Sequence, residues 1–291
     1  MLRLSFSFRH ASFLLFVFLV LGTLSACSSL FYYPSKLHYS DPRNAGLKSE
    51  EVSFLAPDGA KLRAWYFPPA NGLKAKTLTV FFHGNAENIS SHWRALAWLP
   101  AHGHSYLIFD YRGYGNSEGS PSPAGTVEDG LAALNWARAQ HPDTPLVVFG
   151  QSLGGAIALR SVIEDPSKAD IRLVVVESTF HSYQEVGRKV LAGGWLTWPF
   201  QWMAYLVLSD RWAPSDRLAE IAPIPLVVIH GDQDRVVPIS LGRRVYSRAR
   251  DPKEFRLVAG GRHIEAFWRP SEEGHREYFL AKLEAVSGSK R

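Results

Sequence analysis

Six short apolar runs, each four to six residues long, recur between residues 77 and 258: Thr77–Phe82, Ser105–Phe109, Leu146–Phe149, Ile171–Val176, Leu226–Ile229 and Phe255–Val258. They are rich in Val, Ile, Leu and Phe and lack polar alternation, the pattern of strands covered on both faces. Between them lie segments of helical character: Trp93–His102 with Gly103 as a stop, Ala124–Gln140 with apolar residues three and four apart, and Gly155–Ile163. Ahead of them, Glu51–Ala56 and Leu62–Phe67 alternate apolar and polar around Pro57-Asp58-Gly59, which reads as a hairpin at a sheet edge. Strand and helix alternating at this spacing predict an α/β architecture with a mostly parallel, doubly wound sheet. The connection from Thr179 to Ser215 breaks the rhythm and carries Trp195, Trp198, Phe200, Trp202, Met203, Tyr205 and Trp212. It reads either as helices completing the core or, favoured by its place between two strands, as a lid supplying an apolar pocket.

One break between strand and helix carries chemistry. After Leu146–Phe149 the chain reads Gly150-Gln151-Ser152-Leu153-Gly154, a Gly-x-Ser-x-Gly motif in a strand–turn–helix context. Such a turn strains the serine backbone and lifts its hydroxyl above the sheet, while the flanking glycines let helix and strand cross closely. A serine hydroxyl is a weak nucleophile, so it needs a base, and the base needs an orienting group. Where the nucleophile sits on such an elbow, acid and histidine follow it in that order.

Downstream, the strand Leu226–Ile229 leaves through His230-Gly231 into Asp232-Gln233-Asp234, just before Val236-Val237-Pro238. Both aspartates are candidate acids. Asp234 is preferred because it lies deeper in the loop, Asp232 being placed to bond the turn. Glu177, at the end of another strand, is the remaining rival. The run Phe255–Val258 then leads through Ala259-Gly260-Gly261-Arg262 to His263, a loop that can carry an imidazole to the serine. The other histidines fit less well: His83 and His230 precede glycines at strand ends, His181 precedes the acid, and His275 falls in the terminal helix. His102-Gly103-His104 lacks a third ligand nearby, so no metal site is expected. An oxyanion requires two backbone N–H groups, expected from Leu153 and from Asn85 in the turn His83-Gly84-Asn85.

These stretches together resemble the α/β-hydrolase family, in the serine hydrolase branch of monoacylglycerol lipases, α/β-hydrolase-domain depalmitoylases and serine-aminopeptidase-like proteins. The resemblance is carried by H-G-N-A-E-N at 83–88, D-Y-R-G-Y-G-N-S at 110–117, G-Q-S-L-G-G at 150–155, H-G-D-Q-D-R-V-V-P at 230–238 and G-G-R-H at 260–263. It implies an eight-stranded, mostly parallel sheet flanked by helices over residues 50–286, with the lid at about 179–215. It also implies a cofactor-free hydrolase with Ser152, Asp234 and His263 as its catalytic residues, acting on esters or thioesters with an apolar acyl group. A peptidase, an amidase, an acyltransferase or a non-catalytic lipoprotein on the same fold are the alternatives. The chain departs from the family pattern at Glu87, where a glycine is common, and at Ile264-Glu265, where a polar residue often follows the histidine.

Composition changes this picture in one place. The 291 residues, 46% hydrophobic and 20% charged, suit one sizeable core. A net charge of +5 without a Lys/Arg run gives no reason to expect nucleic acid, and no obligate protein partner is evident. The single cysteine, however, stands at Cys27, after Arg3, Arg9, an apolar run Ala11–Leu24 and Leu24-Ser25-Ala26. That order is a secretory signal (residues 1–26) whose end resembles a bacterial lipobox, which makes 27–49 a lipidated tether with its acyl chains on Cys27. The expected location is the cell envelope, lipid-anchored, the outer membrane facing the periplasm rather than the inner membrane. Gly113-x-Gly115 lacks the third glycine of a dinucleotide motif, Glu118 standing there, and Asn88-Ile89-Ser90 is a sequon without meaning in a bacterium.

Overall fold

The computed structural model describes residues 31–70, 72–268 and 273–288; the signal segment and Cys27 lie outside them. Eight strands form one sheet: β1 (Glu50–Leu55), β2 (Lys61–Phe67), β3 (Leu78–Phe82), β4 (Ser105–Phe109), β5 (Leu146–Gln151), β6 (Ile171–Glu177), β7 (Leu226–Gly231) and β8 (Lys253–Val258). Their spatial order is β8-β7-β6-β5-β3-β4-β2-β1. The pairs β1–β2 and β2–β4 are antiparallel and the rest parallel, so the predicted hairpin forms the edge of an otherwise parallel sheet. Five longer helices cover it: α1 (Pro123–Gln140), α2 (Leu153–Glu164), α3 (Tyr183–Gly193), α4 (Ile239–Arg248) and α5 (Glu273–Ser287).

Strand pleating divides the core in two. In β5, Val147 and Phe149 face one side with Phe279 and Leu283 of α5, whereas Leu146 and Val148 face the other with Leu134 of α1 and Leu159 of α2. Burial on both faces is why these strands read as unbroken apolar runs. The outer strand β1 is half exposed and alternates accordingly.

One expectation is corrected. Trp93–His102 is not one helix: a short helix at Ile89–His92 passes into 3-10 turns at Trp93–Leu96 and Leu99–His102. Pro100 has no N–H to continue an α-helical ladder and starts the second turn instead, and Gly103 ends it in the left-handed conformation as expected. From Phe31 onward the segment before the sheet packs onto the body. Tyr32 is buried, with its hydroxyl against those of Thr126 and Tyr183, and Tyr33–Pro34 pair with Ala86–Glu87.

The strand order reverses at β3: the chain passes from β3 to β4 on one side and then crosses to β5, with the later strands following on the other. Sites in open α/β sheets form at such a switch point, beyond the carboxyl ends of the strands. Ser152 follows β5 directly, beside the loop that leaves β3.

Candidate active site

Ser152 occupies the turn between β5 and α2 with φ 53° and ψ −122°, a backbone conformation rare for a residue with a side chain. The turn is held by Ser152 N–H donating to the Glu177 carbonyl and by Thr179 Oγ1–H donating to the Ser152 carbonyl. The helix can begin this close to the sheet only because Gly154 has no side chain. A Cβ there would lie 2.2 Å from the carbonyl oxygens of both Phe82 and His83.

Three predicted side chains meet here. His263 Nε2 lies 2.9 Å from Ser152 Oγ, and His263 Nδ1 lies 2.8 Å from Asp234 Oδ2. With Nδ1–H donating to the carboxylate, Nε2 is left to accept from the serine hydroxyl. Asp234 is fixed through its other oxygen, which accepts from the N–H groups of Val236 and Val237 at 2.9 and 2.8 Å. The buried His230 completes the loop, its Nε2 bonding the Val237 carbonyl at 2.8 Å and standing 3.5 Å from Asp234 Oδ2. Burial alone would raise the Asp234 carboxyl, but the bonds from His230 and His263, the His263 charge and the Val237 N–H outweigh it. The carboxyl is held well below the ordinary range.

The rival acids are elsewhere. Asp232 Oδ1 accepts from the Gly260 N–H at 2.8 Å, the turn-binding role expected of it. Glu177 is fully enclosed and makes no hydrogen bond to His263. Its two oxygens accept from Gln151 Nε2 at 2.7 Å and from the Ala266 N–H at 2.8 Å. Burial raises its carboxyl, with those two bonds opposing. Glu177 therefore ties the residue before the serine to the loop after the histidine.

The two residues expected to supply backbone donors also line the cavity beside Ser152. Leu153 is the first residue of α2, where an N–H has no intrahelical carbonyl and the helix dipole is positive. The Asn85 N–H has no partner among the described residues. Side chains of the D-Y-R-G-Y-G-N-S stretch hold its loop: Tyr114 OH donates to Asn85 Oδ1, Tyr111 OH donates to the His83 carbonyl, and Asp110 Oδ1 accepts from the Ile89 N–H. Asn85 Oδ1 also accepts from the Tyr33 N–H at 3.0 Å, so the segment before the sheet helps set this loop. Neither that clamp, a tertiary contact with no local pattern, nor the half-buried His92 at the cavity wall was expected from sequence.

The two departures from the family pattern have a backbone consequence. Glu87 has φ 68° and Ile264 has φ 50°, both in the left-handed region that favours glycine. The glycine expected at 87 was a signal of that conformation.

Ser152 opens into a cavity of about 640 Å³. Val186, Val190 and Leu191 of α3 and Val207 and Leu208 beyond it form one wall, Phe31 and Tyr33 another, and among the described residues no acidic or basic side chain other than histidine lines it. The connection thus acts as the apolar wall expected of a lid. Its tryptophans are not part of that wall: Trp195, Trp198 and Trp202 are exposed, and Trp212 packs under the Arg160 guanidinium.

Known proteins resemble this chain in sequence and fold. A family model described as serine aminopeptidase, S33 (Hydrolase_4), matches residues 74–217, which include the Ser152 elbow and stop before Asp234 and His263. The chain is 37% identical over 257 residues to YfhR, an uncharacterized protein of Escherichia coli K12, covering 87% of this chain and 85% of that one. It is 29% identical over 269 residues to the alpha/beta hydrolase domain-containing protein WAV2 of Arabidopsis thaliana, covering 88% and 85%. The fold is also that of the Pyrococcus furiosus esterase Pf2001, with a TM-score of 0.71 at 19% identity over 89% of this chain and 99% of that one.

Proposed function

The chain belongs to the α/β-hydrolase superfamily, and we propose that within it this protein is a serine hydrolase that cleaves an ester or thioester with an apolar acyl group. The observation that carries the proposal is the hydrogen-bonded series Ser152–His263–Asp234 at the floor of an apolar cavity. In the first step Ser152 Oγ bonds to the acyl carbon as His263 Nε2 takes its proton. The carbonyl π electrons move to oxygen, and the N–H groups of Leu153 and Asn85 bond the oxyanion. Asp234 holds the imidazolium. Collapse expels the alcohol or thiol, which takes the proton from His263, and leaves an acyl group on Ser152. Water then attacks by the same route, its proton passing through His263, and the carboxylic acid leaves. No step requires a cofactor.

The description serine aminopeptidase favours a second reading, in which the scissile bond is an N-terminal amide. Such a substrate carries an ammonium group, which is costly to bury without a carboxylate partner. The cavity wall has no Asp or Glu to supply one. Apolar acyl esters therefore fit better. A panel of p-nitrophenyl octanoate, an octanoyl thioester and an aminoacyl anilide separates the two. Turnover of the octanoyl compounds, lost by at least about 10⁴-fold in Ser152→Ala, is the expected result. Preference for the anilide would reject the ester reading.

We also place the protein at a bilayer, with acyl chains on Cys27 and the catalytic domain in the periplasm, for the reasons of sequence order given above. Two or more chains hold a protein stably where one does not. Palmitate labelling that disappears in Cys27→Ser is the expected outcome, and labelling that persists would refute it.

A further inference from the structure

The cavity wall has an outer side. From Val190 to Ser209 the sequence runs for twenty residues without Asp, Glu, Lys, Arg or His. That is the length of a membrane-spanning helix, yet Gly193-Gly194 and Pro199 divide it. It folds as the end of α3, a 3-10 turn at Trp198–Met203 and a short helix at Ala204–Val207. Among the described residues no helix is long and apolar enough to cross a membrane. Its aliphatic side chains line the cavity, but most of its aromatic ones turn outward. Trp195 is 85% exposed, Trp198 59% and Trp202 55%, with Leu196, Phe200 and Leu206 exposed beside them. Soluble domains seldom leave such a surface uncovered.

We propose that this surface docks on a phospholipid bilayer, so that the cavity draws acyl substrate from the membrane. Three observations select a bilayer as the occupant. The patch is dominated by tryptophan, whose ring and N–H suit the boundary between headgroups and acyl chains. It is continuous with the cavity, because Val190 is both 65% exposed and part of the cavity wall that reaches Ser152. And the chain enters the domain on the same side. Phe31 and Tyr33 line the cavity, and only three residues separate Cys27 from Phe31, a reach of at most about 14 Å. An anchor at the N-terminus therefore holds the lid face, rather than the opposite edge of the sheet, against the membrane. Of the two α3 cations that precede the uncharged run, Arg188 pairs with Glu185, and Lys189 suits anionic headgroups. The orientation rests on the anchor proposed above, and the substrate route rests on the hydrolase reading. The surface depends on neither.

The test uses the full chain reconstituted with vesicles of phosphatidylethanolamine and phosphatidylglycerol carrying brominated acyl chains, which quench tryptophan on contact. Docking predicts strong quenching that falls by more than about half in W195F/W198F/W202F, a variant that keeps the surface apolar and still floats with the vesicles. Equal quenching in that variant and the parent would place these rings away from the lipid and overturn the proposal. So would protection of the same rings from an aqueous quencher in a vesicle-free dimer, which would make a second copy the occupant.

Turnover gives the second arm. In L196D/W198D, hydrolysis of a long-chain ester embedded in the vesicles is expected to fall at least about tenfold, with hydrolysis of soluble p-nitrophenyl butyrate within about twofold of the parent. Neither rate falling, or both falling together, would contradict the route. Quenching is also read in Ser152→Ala. A lid that inserts in a protein without Ser152-dependent turnover would overturn the hydrolase reading and leave the docking standing.

Discussion

Two carboxylates lie close to His263, and their partners assign them different work. Asp234 bonds the imidazole, whereas Glu177 bonds Gln151 and the Ala266 N–H. Asp234→Asn is therefore expected to lower ester turnover by about 10³–10⁴-fold, because the amide cannot hold the required imidazole tautomer. Glu177→Ala leaves two buried donors unpaired, which costs about 2 kcal/mol of stability, and loosens the histidine loop for a loss nearer tenfold in turnover. Similar losses from both would mean that the acid has been misassigned. The two groups also differ in sign with pH. Asp234 has a depressed carboxyl, so its contribution is present above the ordinary aspartate range and is lost as pH falls through its lowered value. Glu177 has a raised one, so it favours the fold below the ordinary glutamate value and opposes it increasingly as pH rises through its own. Urea unfolding of Glu177→Gln at about pH 5 and about pH 8 should show the variant gaining on the parent at the higher pH. At this scale the sequence was informative wherever local context constrained a residue. Ser152 stood between a strand and a helix, Asp234 and His263 in loops after strands. Asn85 Oδ1 and the bonds of Glu177 join distant segments, and no window of sequence contains both partners.

Among elements, the strands were legible because burial on both faces leaves an unbroken apolar signature, and the missed helix at Trp93–His102 failed where one proline lacks an N–H. The elbow depends on contact between elements as much as on its own turn. Gly154→Ala places a methyl group against the backbone of β3, so either the helix or the oxyanion loop must move. Loss of several kcal/mol of stability is expected, by thermal unfolding, with loss of turnover. At Glu87 the opposite outcome is expected. A residue with a side chain is held at φ 68° in the segment that pairs with Tyr33–Pro34, and Glu87→Gly removes a strain of about 1–2 kcal/mol at a smaller entropic cost. The melting temperature should rise by about 1–4 °C, and a fall would show that the Glu87 side chain does more than tolerate its backbone. The lid was the least legible element. Its aromatic load predicted an apolar wall, but the wall is aliphatic and the tryptophans face outward, a division that composition does not encode.

Across the whole molecule, the parallel sheet brings together groups that are far apart in sequence. The loops after β3, β5, β7 and β8 all leave at the carboxyl edge near the switch point, which carries Asn85, Ser152, Asp234 and His263 to one place. The connection carrying α3 crosses above them and Phe31 and Tyr33 of the N-terminal segment pack beside them, so the candidate catalytic groups, the cavity and the start of the described chain share one face. The central claim is that Ser152 is the nucleophile on that face. Its most direct test is a fluorophosphonate probe followed by peptide mapping. The account predicts one adduct, on Ser152, that forms rapidly, is slowed by Asp234→Asn and is absent in Ser152→Ala. An unlabelled Ser152, or an ester hydrolysis that survives Ser152→Ala, would contradict it.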